Sequence, residues 1–392
     1  MIPRELHSRD IDALLDLVAK IGREVARPAS AAVDSESRFP HESIEALREG
    51  GLLAALIPES HGGPGCTYAD VAAMCTELGR HCGSTAMVFA MHHIQVACIV
   101  EHGQGTPYFD ELMRDIAVRG RLMASATTEL GVGGDVRSSI CAVESDGDDT
   151  FSLEKNASVI SYGEFVDDVL VTARRSPDAA ASDQVIIHVQ RPAMQLTPNG
   201  TWDAFGMRGT CSIGFLLQAT GNVEQIVATP YSDLSARTML PVTHILWSSL
   251  WVGIADGALE KARTYVRSAA RKNLGTVPPG ARHLVVAQAK LDEMRATVEA
   301  AITEFEQVRS QADSSLSLGF SIRMNELKLS ASMKVVEIVQ AAMLICGIAG
   351  YRNDTPYSLG RELRDAHSAA LMVHNDRITE HNASLLCIAK EI

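Results

Sequence analysis

Positive charge is scarce in this chain. Its 392 residues carry 35 Lys and Arg against 48 Asp and Glu, a formal net charge of −13. Phosphate backbones need a dense basic face, so nucleic acid is excluded as the main partner. An anionic ligand held by a few local arginines remains compatible. None of the eight cysteines forms a CxxC pair, and no Cys/His cluster has zinc spacing. Reduced, mostly buried thiols in a cytoplasmic protein are expected. The start, MIPRELHSRD, has no apolar signal core. No run of about 18 apolar residues occurs, so no membrane span is expected. Internal repeats and low-complexity tracts are also missing.

Hydrophobic residues make up 46% and charged residues 21% of the chain, ordinary values for a globular protein. Length allows two or three domains, and the patterning divides the chain into three. In 1–120, helical stripes recur, for example Ile11, Leu14, Leu15, Val18 and Ile21, and again from Tyr68 to Leu78 and Thr85 to Glu101. Between them lies GLLAALIPESHGGPG, an apolar run ending in a Gly/Pro loop. In 121–232, short β-type runs alternate with turn signals: Val136–Val143, Thr150–Leu153, Val169–Thr172, Gln184–Val189 and Gly214–Gln218. In 233–392, helical patterns return at Ile245–Ala269, Leu284–Gln307 and Asn325–Ile348. With the closing segment Arg361–Ile392 they make a four-helix bundle. The class is α+β, mostly α.

Five segments have the composition of a ligand site. Thr127-Thr128-Glu129-Leu130-Gly131-Val132-Gly133-Gly134-Asp135 precedes the expected strand Val136–Val143. Its glycines let backbone N–H groups approach a ligand and its hydroxyls add hydrogen bonds, although a strand-entry turn reads the same way. Ser158-Val159-Ile160-Ser161-Tyr162-Gly163 and Gly206-Met207-Arg208-Gly209-Thr210-Cys211-Ser212 are turns that expose hydroxyls. Arg271-Lys272-Asn273-Leu274-Gly275 ends a long helix, with Gln288 downstream. A basic helix end complementing the dipole is its simpler reading. Cys346-Gly347-Ile348-Ala349-Gly350-Tyr351 reads as a glycine stop or as a binding turn. At the end, Arg364-Asp365-Ala366 leads through an apolar patch to the polar break His374-Asn375-Asp376. There Asn375 or Asp376 can cap the last helix.

Together these segments resemble the acyl-CoA dehydrogenase family over nearly the whole chain. The resemblance implies an N-terminal helical domain, a middle β-barrel and a C-terminal four-helix bundle, assembled as a homotetramer or homodimer. It implies FAD as cofactor and an acyl or aryl thioester of CoA or a carrier protein as substrate. O2 or an electron-transfer flavoprotein would be the oxidising partner. On the matching positions, Thr128 and Gly133 contact flavin, with Leu130 in place of a proline and Gly134 in place of a serine. Ser161 lies by the flavin N5 atom, with Val159 replacing a tryptophan. The Gly206–Ser212 segment takes a structural place near the substrate channel. Arg271 binds the pyrophosphate of a neighbouring subunit's flavin, supported by Gln288. Gly347 and Gly350 meet the flavin across the dimer, with Leu344 replacing a glutamine.

The family's α-proton base is a glutamate, and the ungapped match puts Val373 in its place. The alternative position on the first bundle helix holds Thr243. Both usual base positions are therefore empty. The remaining candidates are His374, Asp376 and Glu380, with His92 and His93 from the N-terminal domain. Imidazole handles protons near neutral pH, and oxygen-using relatives often pair such a histidine with a serine, as His374 and Ser161 could. The expected catalytic set is His374, Ser161 and Asp376. The rival readings are an O2-dependent oxygenase and a non-catalytic flavin binder.

Overall fold

A computed structural model describes residues 11–133, 135–147, 149–272, 277–311 and 316–389. The N-terminal helices are α1 Ile11–Ile21, α2 Arg27–Ser35, α3 His41–Glu49, α4 Tyr68–Gly79, α5 Gly83–His102 and α6 Pro107–Arg119. A capping box starts α4: the Thr67 hydroxyl accepts from Asp70 N–H while the Asp70 carboxylate takes Thr67 N–H. Apolar on nearly every face, α5 is buried along most of its length.

The middle region holds β1 Met123–Ala126, β2 Glu144–Gly147, β3 Thr150–Ala157, β4 Asp168–Arg174, β5 Gln184–Gln190, β6 Met194–Pro198 and β7 Phe215–Asn222. They form a three-stranded sheet, β1-β4-β5, and a four-stranded antiparallel sheet, β2-β3-β7-β6. Among the described residues the middle β region consists of these two small sheets, with a bridge from Ile187 of β5 to Ile226, just after β7. The expected strand Val136–Val143 does not form. Two of its backbone donors, those of Ile140 and Cys141, go to a carboxylate, and the pairing is reduced to an Ala142–Arg174 bridge.

The C-terminal helices are α7 Tyr231–Leu234, α8 Leu240–Lys272, α9 Gly280–Arg309, α10 Leu318–Cys346, α11 Ile348–Tyr351, α12 Gly360–His367 and α13 Asn375–Leu386. The three long helices pack together, with α12 and α13 laid across α10. One continuous apolar core runs through all three regions. The N-terminal helices join the bundle where α4 crosses α8 at two glycines. A Cβ on Gly253 would stand 2.1 Å from the Thr76 carbonyl, and one on Gly79 2.4 Å from that of Leu250. Only glycine permits this approach.

Three helical stretches are long and apolar enough to cross a bilayer: Gly83–His102, Tyr231–Lys272 and Leu318–Cys346. Searching for uninterrupted apolar runs overlooks them, because a few polar residues interrupt each. In the first two, 94% and 89% of the apolar window is buried inside the protein. There the apolarity is accounted for by the core. Six of the eight cysteines are buried, and all are free.

Candidate functional site

Four segments converge where the β region meets the last helices. The Thr127–Asp135 loop is folded by its own glutamate. Glu129 accepts from the N–H groups of Ile140 (3.0 Å) and Cys141 (2.8 Å), from the Ser139 hydroxyl (2.8 Å) and from the buried Lys155 ammonium (3.2 Å). Lys155 also donates to the Thr172 carbonyl at 2.8 Å. At Ile140 and Cys141 side-chain oxygens thus satisfy backbone that a sheet partner would otherwise pair. The Lys155 charge and these donors hold the Glu129 carboxyl below its ordinary range, against the opposing pull of burial. Glu129 escaped the sequence reading. The signal was available only in part, as an acid inside a glycine-rich loop, because its lysine stands on β3 just past the expected strand Thr150–Leu153.

The loop is tied to its neighbours on both sides. Thr128 Oγ1 donates to the Val159 carbonyl at 3.2 Å, and Leu130 N–H to that of Asn156 at 2.9 Å. Gly133 has a left-handed backbone, φ +62°, and open space where a Cβ would lie. Its carbonyl accepts a hydrogen bond from Arg377 on α13.

Ser161 is half-buried and stands at the end of a hydroxyl chain. Ser212 Oγ donates to Ser161 Oγ at 2.9 Å, and Thr210 Oγ1 lies 2.7 Å from Ser212 Oγ. Accepting inward leaves the Ser161 proton free to be donated outward. Beside it Tyr162 has φ +43° and is pinned by its N–H to the Thr210 carbonyl and by its hydroxyl to the Met123 carbonyl, at 2.8 and 2.9 Å.

The Gly206–Ser212 segment is also a joint. Met207 N–H donates to Asp365 Oδ1 at 2.6 Å, and a Cβ on Gly206 would stand 2.1 Å from the Arg364 carbonyl. Arg208 donates to the Asp34 carbonyl at 2.8 Å, and Arg364 pairs with the Asp34 carboxylate. Desolvation pushes the buried Asp365 carboxyl up to about 7. The segment thus clamps α2, α5 and α12 together.

At the break before α13, Val373 and His374 both have left-handed backbone, φ +52° and +43°. Val373 and His374 are exposed, and the imidazole Nδ1 lies 3.8 Å from Asp376 Oδ2, beyond hydrogen-bond reach. The expected cap is corrected: neither Asn375 nor Asp376 caps α13. Its N-cap is His374, with no side-chain bond. The Asn375 amide turns inward to α10 instead, and the Asp376 side chain is 93% exposed. Thr243, buried on α8, spends its hydroxyl on the Met239 carbonyl at 2.6 Å.

His92 and His93 are structural, which corrects their candidacy as proton carriers. Met123 N–H donates to His92 Nδ1 at 3.0 Å and His92 Nε2 donates to the Leu53 carbonyl at 2.6 Å. Both ring nitrogens are spent, and burial pushes this imidazole down to about 4. His93 donates to the Leu52 carbonyl at 3.1 Å, and burial holds it well below the ordinary histidine range.

The remaining expected residues gather at another end of the bundle. Arg271 is exposed in the last turn of α8, while Asn273, Leu274 and Gly275 of its motif lie outside the described residues. Gln288 on α9 donates to Asp292 at 2.9 Å. Gly347 ends α10 at φ +58°, ψ −138°, a conformation open to glycine. Gly350 is buried, and a Cβ there would stand 2.8 Å from that of Cys346. A Cβ on Gly280 would lie 3.1 Å from Ile345 and 3.6 Å from Val266, so the ends of α8, α9 and α10 meet. Among the described residues none of this second group hydrogen-bonds to the first.

The polar set suits a neutral, planar, polar ring: a serine proton, a threonine oxygen left to accept and open glycine backbone, with no metal-binding cluster of His, Cys, Asp or Glu among the described residues. Two family descriptions match: "Acyl-CoA dehydrogenase, N-terminal domain" over residues 8–107 and "Acyl-CoA dehydrogenase, C-terminal domain" over 235–373, together more than half of the chain. The chain belongs to the acyl-CoA dehydrogenase family and with it to the flavin-dependent oxidoreductases. A cyclohex-1-ene-1-carbonyl-CoA dehydrogenase from Syntrophus aciditrophicus is 26% identical, over 93% of this chain and 87% of its own. A probable FMNH2-dependent monooxygenase, SfnC of Pseudomonas putida, is 27% identical, over 64% of this chain and 62% of its own. In fold, the chain is similar to dibenzothiophene monooxygenase (TdsC) from Paenibacillus sp. A11-2, with a TM-score of 0.81 and 19% identity, covering 96% of this chain and 97% of the other.

Proposed function

We propose that this chain binds FAD and carries out redox chemistry on an acyl or aryl thioester, of CoA or a carrier protein, without the family's usual glutamate base. The observation that carries this reading is the conjunction of Ser161, whose proton is free, with Val373 and Thr243 at both base positions. When bound, the flavin supplies the electron acceptor. Thr128 and Gly133 hold its ring from the β side and Ser161 donates to it. Arg271, Gln288, Gly347 and Gly350 hold the pyrophosphate side of a neighbour's flavin. His374 takes or gives the substrate proton, with Asp376 or Glu380 as substitutes. An electron-transfer flavoprotein or O2 accepts the electrons afterwards.

A second reading, an O2-dependent oxygenase on the same fold, is favoured by the same missing carboxylate, since hydroxylation or epoxidation needs no α-proton removal. The likeness to SfnC points the same way. Anaerobic titration of the purified flavoprotein with a panel of acyl and aryl thioesters separates the two. Bleaching without oxygen supports the dehydrogenase. Bleaching only by an external reductant, followed by oxygen- and substrate-dependent reoxidation, supports the oxygenase.

The protein acts as a cytoplasmic homo-oligomer, without nucleic acid or membrane. Exposed apolar side chains on the bundle support a partner copy: Val285 and Val286 on α9, Leu344 on α10, Ile348 and Tyr351 on α11 and Leu371 before the break.

A further inference from the structure

Beneath the break lies a cation with no obvious structural reason. Lys328 on α10 is fully buried, yet no carboxylate lies within ion-pair distance of it among the described residues. Its ammonium donates to Asn375 Oδ1 at 2.5 Å. The other end of that amide donates to Ser332 Oγ at 3.0 Å, one turn along the same face of α10. Asn375 N–H is bonded to the Ala370 carbonyl at 3.0 Å. From α8 the titratable group facing Lys328 is His244, which burial and the lysine's own charge push down to about 4. It is bonded to the Met324 carbonyl at 2.9 Å. His244 directly follows Thr243, and Asn375 stands two residues after Val373. The lysine therefore touches a sequence neighbour of one empty base position and faces a sequence neighbour of the other.

What it holds is strained. A β-branched residue at φ +52°, followed by another non-glycine residue at +43°, is a pairing that backbone sterics disfavour, and such strain persists only when surroundings impose it. The neighbouring imposed contact is the Asn375 side chain, gripped from α10.

We propose that Lys328 is a positioning residue of the site: through Asn375 it holds the Val373–His374 turn in its left-handed form and so sets where the His374 imidazole stands. This rests on the reading of His374 given above. Burial pushes the ammonium down to about 8, so at pH 7 the folded protein carries a charge that the unfolded chain holds at less cost. Replacing such a buried charge by an apolar side chain of similar volume is often stabilising. A residue kept for packing alone shows the reverse.

The test is Lys328→Met, compared with Asn375→Leu, which cuts the same tie from the other side. Two readouts need neither flavin nor substrate: the thermal midpoint at pH 7, and amide hydrogen exchange resolved by segment. The expected result is that exchange quickens at least about tenfold within 371–377 in both variants. The rest of α10 and α13 should stay protected, and the Lys328→Met midpoint should be unchanged or higher by about 2 °C or more. Turnover, measured separately, falls with little change in KM. Unaltered exchange in 371–377, or a lowered midpoint with loosening throughout α10 and α13, overturns the proposal. Loss of turnover alone, without the exchange signature, also counts against it. If the exchange result holds but His374→Ala works as well as the parent, the fault lies in the assignment of His374 and the latch stands.

Discussion

Ser212 gives its proton to Ser161, and that one hydrogen bond decides what Ser161 can offer a ligand. Ser161→Ala should weaken flavin binding to the apoprotein by up to about tenfold, as expected for one hydrogen bond of about 0.5–1.5 kcal/mol. Ser212→Ala should act in the same direction but less, because it leaves Ser161 in place and only frees its orientation. Fluorescence titration measures both. Equal binding by all three proteins would remove Ser161 from the flavin site. Two residues from the bare Asp376, His374 is the other side chain on which the reading depends. His374→Ala should keep flavin and fold, since its imidazole has no hydrogen-bond partner among the described residues, and should lower turnover at least about tenfold. A variant as fast as the parent passes the role to Asp376 or Glu380.

At the scale of elements, the Thr127–Asp135 loop depends on a carboxylate more than on its glycines. Glu129→Ala removes four bonding partners at once and leaves Lys155 buried and unpaired. Breaking such a pair costs about 3–5 kcal/mol, and the thermal midpoint should fall accordingly, with flavin lost first. The depressed folded-state pKa gives the pH sign. Its stabilising contribution is present above the unfolded carboxylate's range and is lost as pH falls through the folded value. The same loop shows how much was legible beforehand. Helices announced themselves through periodicity, and α8, α9 and α10 enclose or overlap the expected stretches. Val136–Val143 had strand composition but no strand, because the competing partner was a side chain seven to fourteen residues earlier. Asn375 and Asp376 had the chemistry of a cap and do not cap, because a lysine 47 residues away in sequence takes the amide. Local preference is readable from local sequence. A distant side chain that outbids it is not.

For the whole molecule, three imidazoles sealed in the core set an acid limit. His92, His93 and His244 are all depressed by burial, the first and last to about 4. The folded state binds fewer protons than the unfolded one between about 4 and 6.5, so stability falls as pH drops through that window, at up to about 1.4 kcal/mol per pH unit for each group. Asp365, raised to about 7, works the other way in this window but is one group against three. The midpoint should therefore decline from pH 6.5 towards 4, and a flat profile would show that the three imidazoles take up protons as readily in the folded as in the unfolded chain. One ruler in the fold carries a last consequence. Lys328, beneath the break, and Gly347, at the end of the same helix, are 19 residues apart, about 28 Å along the axis at 1.5 Å per residue. That exceeds the reach from a flavin's ring to its pyrophosphate, so with the roles proposed above one end of α10 would serve a neighbour's flavin. Two defective proteins can then repair one another. Co-expressed Ser161→Ala and Arg271→Ala chains should bind flavin more tightly than either variant alone, because half of the sites in a mixed pair receive two intact halves.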